Sequence, residues 1–192
     1  MSSTQENQSV AELAREYSRR GYIKLSGLFG ADEIASWQRE CQRLQQLEIV
    51  DPNNLRTPFK NPEIPFPEKI DPVVDISPLF AKLIADERLL SVLRAIFQDK
   101  TLLFKDKIIY KLPGMNGYSI HQDWAHGWQQ FAPADDLLSV SFQIDGADAA
   151  NGCIELFEGY HHKLLTPPGE ERAFGEAEKL KMDFAHGEKM ET

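Results

Sequence analysis

A chain of 192 residues is long enough for one domain with a substantial core, and 42% hydrophobic with 10% aromatic residues is a globular rather than a disordered composition. Its 30 acidic residues against 21 basic ones give a net charge of −9, which repels a phosphate backbone and excludes a nucleic-acid partner. The polar start, residues 1–8, lacks the basic and apolar segments of a secretory signal, and no run approaches the ~20 apolar residues of a membrane span, so a cytoplasmic protein without a membrane partner is expected.

In chain order, Val10, Leu13 and Tyr17 have helical spacing after Ser9, and Gly21 is placed to stop that helix. Residues 22–25 read as a short strand. A second helix is expected from about Ala31, with Asp32 and Glu33 at its positive end and Ile34, Trp37, Cys41 and Leu44 forming one buried stripe. Between Asp51 and Pro78 lie seven of the eleven prolines, so regular helix cannot persist there. Phe59, Ile64, Phe66 and Ile70 make this stretch too apolar for a tether, and a long ordered loop, usable as an active-site wall, is preferred to a linker. Two more helices follow, over residues 79–85 and 89–97.

From Thr101 the pattern turns to β, with residues 101–110 and 137–144 reading as strands separated by Gly, Pro, Asn and Asp. Helices first and strands afterwards argue for an antiparallel sheet structure with helices on one side. Cys41 and Cys153 have no redox or metal spacing and read as free thiols in a reducing compartment.

One stretch names a chemistry. In Tyr118-Ser-Ile-His121-Gln122-Asp123-Trp124, an imidazole and a carboxylate two residues apart on an extended segment point to the same side and can reach one ion. They are two-thirds of the facial triad, two His and one carboxylate, that leaves three positions open on Fe(II) for a co-substrate and O2. A surface pair is the bland alternative, since His-x-Asp also arises by chance.

Three pieces in series decide between them: the Lys111-Leu-Pro-Gly turn leading into His121-Gln122-Asp123, the run starting at Asp136-Leu-Leu, and Asn151-Gly-Cys-Ile-Glu155 followed by Gly159-Tyr160-His161. From about Tyr17 to the end the chain resembles the phytanoyl-CoA dioxygenase family of Fe(II)/2-oxoglutarate oxygenases. The resemblance implies a mainly β fold with N-terminal helices, a double-stranded β-helix or jelly roll of cupin-like type. It is read as one oxygenase domain, with residues 1–100 as helical buttress and Pro-rich loop and 101–192 as β-helix core.

By the same resemblance His121 and Asp123 are the iron ligands, and Lys107, Gln122 and Phe142 line the 2-oxoglutarate pocket. Lys107 also fits an ordinary solvent-facing strand position, and Phe142 would be core in any β protein. Asp123 occupies a site that the related halogenases leave to chloride by having a small residue there, so hydroxylation rather than chlorination is expected. Trp124 and Trp128 are substrate-side candidates or a packed rim; His126 is not favoured as a ligand.

The family pattern further asks for a distal His and an Arg that grips the distal carboxylate of 2-oxoglutarate, and neither can be placed before Thr192. His161 and His162 match the Gly-x-His turn, whose His is not usually a ligand; His186 is the remaining candidate. The expectation is a chain truncated before the distal-His strand, prone to self-association through its open strand edges. The leading reading is a dioxygenase hydroxylating a small organic molecule with Fe(II), 2-oxoglutarate and O2. The alternatives are an inactive fragment or relative acting as a binding module, and a cupin-like metalloprotein that does not use 2-oxoglutarate.

Overall fold

The computed structural model describes residues 8–48, 54–58, 61, 63–113, 117, 118, 120–125, 128–165 and 187–192. Two compact units are present, Ser26–Met115 and a second made of Met1–Leu25 with Asn116–Thr192.

The Ser26–Met115 unit is built on helix α2, Ala31–Gln46, helices α3, Pro78–Ile84, and α4, Glu87–Phe97, and a small antiparallel sheet. Its strands are β1, Leu55–Pro58, β2, Pro67–Asp71, and β3, Ile108–Ile109, in that spatial order. Helix α2 starts at Gly30, whose N–H donates to the Glu33 carboxylate at 2.8 Å, and Asp32 and Glu33 lie where the helix dipole favours negative charge. Of the expected stripe, Trp37 and Leu44 are buried, while Ile34 and Cys41 are only partly so. Phe29 packs edge-on to Trp37, with ring centres 4.9 Å apart. The Arg88 guanidinium lies over the Phe29 ring and pairs with Glu33 at 2.6 Å and Asp86 at 2.7 Å, tying the start of α2 to that of α4.

The described residues of the Pro-rich stretch form partly a ladder rather than a loop alone. Pro58 and Pro67 face each other at the irregular end of the β1–β2 pairing, where their missing N–H groups cost the ladder least. Ile70 is wholly buried, and Asp106 accepts hydrogen bonds from the N–H groups of Val73 and Val74 at 2.6 and 2.9 Å, pinning the chain beyond β2. Asp71 pairs with Lys105 at 2.9 Å. Ser77 caps α3 by accepting from the Phe80 N–H, and it donates to Glu40 at 2.6 Å; a wholly buried hydroxyl is thereby satisfied twice.

In the second unit, helix α1 spans Val10–Arg20 and is opened by a reciprocal Ser9–Glu12 capping box, with Gly21 in the left-handed conformation at its end, as the sequence predicts. The expected strand at 22–25 does not form. Strands β4, Glu155–Phe157, and β5, Gly187–Lys189, pair antiparallel. Arg20 collects three carboxylates: Glu16 at 3.1 Å, Glu158 at 3.0 Å and Glu188. The Tyr22 hydroxyl donates to Glu188 at 2.7 Å. Arg20 therefore joins α1 both to the residue that follows β4 and to β5.

That clasp is expected to weaken in acid. The hydrogen bond from Tyr22 and the Arg20 guanidinium hold the Glu188 carboxyl below its ordinary 4.5. A depressed carboxyl contributes stability that is complete above its unfolded value and is lost as pH falls through the folded one. Denaturant midpoints of the wild type are expected to fall more steeply than those of Glu188→Gln between about pH 5 and about pH 3. Parallel curves would show that Glu188 contributes nothing.

The expected mainly β structure shows only in part. Among the described residues, regular structure is carried by the helices and two small sheets. Of residues 101–110 only Ile108 and Ile109 pair, and 137–144 enter no ladder. Alternating apolar residues set a strand's faces, but a strand exists only where a neighbouring backbone accepts and donates its hydrogen bonds.

Candidate metal centre

The segment that carries His121 is not a strand; it runs as irregular chain to Gln122, and Asp123 opens a single 3-10 turn, Asp123–Ala125. Two further turns follow, Trp128–Gln130 and Ala134–Asp136, after which the chain is extended at Leu137. The Trp124 indole N–H donates to the Ala132 carbonyl at 2.9 Å, holding the first turn against the chain that follows the second. This reversal brings Ser139 back to Asp123.

The two residues the sequence singled out meet. His121 Nε2 lies 3.2 Å from Asp123 Oδ1, and the side chains are 32% and 51% exposed, so the pair is open to solvent. Two bonds of about 2.1 Å at right angles place their donor atoms about 3 Å apart, so this spacing fits two adjacent positions on one octahedral ion. The other carboxylate oxygen, Oδ2, accepts a hydrogen bond from the Ser139 hydroxyl. One oxygen is thus turned to the imidazole while the second is held, which is how an outer residue orients a metal-binding carboxylate. Among the described residues no group of three His, Cys, Asp or Glu side chains could hold an ion.

The remaining candidates are placed as follows. Gln122 donates to the carbonyls of Tyr160 and Lys163, each at 2.8 Å, and accepts from the Leu165 N–H at 2.9 Å. Both amide hydrogens are thus engaged with backbone carbonyls in this arrangement. Phe142 is half-buried on the run that also carries Ser139. Lys107 is exposed just before β3 and belongs to the Ser26–Met115 unit. Trp124 is fixed by Ala132, and Trp128 is half-buried in the second turn. His161 contacts the Ser18 carbonyl at 3.0 Å and stacks beside His162. His126 and His186 lie outside the described residues.

Ser139 was missed by sequence reasoning, although a signal was present. In Leu138-Ser-Val-Ser141, hydroxyls alternate with apolar residues, which marks one face of an extended run as polar.

A pair of this chemistry on this scaffold defines a class. The family model for phytanoyl-CoA dioxygenase matches residues 17–185, and the chain belongs to that family, whose fold is cupin-like. It is 30% identical over 168 residues to the ectoine dioxygenase of Sphingopyxis alaskensis, covering 83% of this chain and 52% of that protein. It is 27% identical to the ectoine dioxygenase of Stutzerimonas stutzeri, covering 83% and 53%. A probable alpha-ketoglutarate-dependent hypophosphite dioxygenase of Stutzerimonas stutzeri is 28% identical, covering 79% and 53%. The chain spans about half the length of these curated relatives.

Proposed function

We propose that the protein is a non-haem Fe(II)/2-oxoglutarate-dependent dioxygenase that hydroxylates a small organic molecule, and that His121 and Asp123 are two of its iron ligands. The observation that carries this reading is the 3.2 Å approach of His121 Nε2 to Asp123 Oδ1 in a chain of this family. Bound iron would supply the oxidising chemistry, in which 2-oxoglutarate, O2 and R–H give succinate, CO2 and R–OH.

The chain's own residues do the rest. His121 and Asp123 offer one nitrogen and one oxygen on the same side, and Ser139 fixes which carboxylate oxygen is offered. Because the carboxylate is present, the reading is hydroxylation and not halogenation. Phe142 and Lys107 keep, by resemblance, a place in the co-substrate pocket, and Trp124 and Trp128 a place toward substrate. The relatives named for ectoine and hypophosphite oxidation favour a small substrate. A third ligand and a cation for the distal carboxylate are part of the proposal, with His186 the candidate this sequence offers. A jelly-roll core, a single oxygenase domain and a cytoplasmic location complete it. Among the described residues no helix is long and apolar enough to cross a membrane.

The test is O2-dependent succinate formation from 2-oxoglutarate and Fe(II), with small-molecule substrates such as ectoine present. Turnover without added Fe(II) in chelator-treated protein would sink the proposal, and so would chloride incorporation in place of hydroxyl. Replacing Ser139 by Ala frees the second carboxylate oxygen and is expected to weaken Fe(II) binding about 10-fold, as loss of an outer-shell hydrogen bond does. Threonine at 139 keeps the hydroxyl and is expected to retain most of the affinity. Equal Fe(II) titration curves for wild type and Ser139→Ala would remove Ser139 from the site.

A further inference from the structure

Gln122 stands between the two candidate ligands, and its side-chain amide makes three hydrogen bonds to one short stretch of backbone, residues 160–165. Each amide hydrogen has a carbonyl and the amide oxygen has an N–H, all at 2.8 to 2.9 Å. Residues 120–122 belong to no ladder, and the His121 and Asp123 side chains are 32% and 51% exposed.

From this we infer that Gln122 is the positioning residue of the ligand pair: its amide fastens the backbone shared by His121 and Asp123 to residues 160–165. The torsions of residue 122 set the directions in which both neighbouring side chains leave the chain. Fastening it means the two donors are already side by side before an ion arrives, and the ordering cost of chelation is met on folding. The polar residue inside His-x-Asp thus acts on the metal through the backbone, without touching it. The Gly159-Tyr-His-His turn acquires a role as well, since two of the three bonds go to the carbonyl of Tyr160 and to that of Lys163 just beyond it.

This inference rests on the iron assignment, and one experiment separates the two. Co(II), a spectroscopic stand-in for Fe(II), is titrated into the wild type, His121→Ala and Gln122→Met, the last having similar length and volume but none of the three bonds. The expected result is Co(II) affinity about tenfold weaker in Gln122→Met with altered visible bands. The Leu165 amide should also lose its protection from hydrogen exchange. Wild-type affinity and bands in Gln122→Met overturn the positioning role and leave the iron assignment standing. Binding by His121→Ala as tight as the wild type, or no binding by the wild type, overturns the assignment and this inference with it. If Gln122→Met does not fold, Gln122→Asn, with its amide withdrawn by one methylene, is judged by the same readings.

Discussion

His121→Ala is expected to abolish Fe(II)-dependent succinate formation, with loss of more than about 100-fold in turnover, beyond the 10- to 100-fold typical of outer-shell changes. On the proposed assignment the imidazole is one of two donors 3.2 Å apart, and without it Asp123 is the one donor left of that pair. A lone carboxylate, half exposed and hydrated, has little advantage over water as a ligand. Asp123→Asn should fall as far by another route, since the amide keeps the shape and loses the charge that an Fe(II) ion requires. The loss should appear in metal titration as well as in turnover, while denaturant midpoints stay within about 0.5 kcal/mol of wild type, as for exposed sites generally. Turnover retained by His121→Ala would end the iron assignment.

The second large effect is structural. Gly21→Ala is expected to destabilise the fold by about 3 kcal/mol. Gly21 ends α1 at φ +85°, a conformation that costs a residue with Cβ about 1 to 2 kcal/mol. A Cβ there would also run into Nδ1 and Cγ of the His161 ring and lie 2.8 Å from its Cβ, so His161 must move. Its contact with Ser18 and its place in the turn fastened by Gln122 would go with it. Urea midpoints for Gly21→Ala, His161→Ala and the double variant separate the ring's share, because His161→Ala takes away the ring and leaves the backbone strain and the approach of the residue 161 Cβ. If Gly21→Ala matches the wild type within about 0.5 kcal/mol, the close packing of His161 on α1 is wrong.

The helices and the closeness of His121 to Asp123 were legible in the sequence. Apolar spacing, the Ser9–Glu12 box, Gly21 and the acidic start of α2 are local signals, because a helix closes its hydrogen bonds within a few residues. His121 and Asp123 are two residues apart, so their proximity was also a local matter, and it survives although the segment is not the extended strand expected.

Tertiary structure decided what depends on distant partners. Residues 137–144 have the composition of a strand and no ladder, while Leu55–Pro58 and Pro67–Asp71, expected within a long loop, pair with each other. Strand pairing is a property of two segments, and neither sequence alone states it. For the same reason the roles of Ser139, 16 residues from Asp123, and of Gln122, about 40 from its partners, became visible only once the chain had turned back on itself. A side chain's type limits the bonds it can make, and the fold chooses which of them are made.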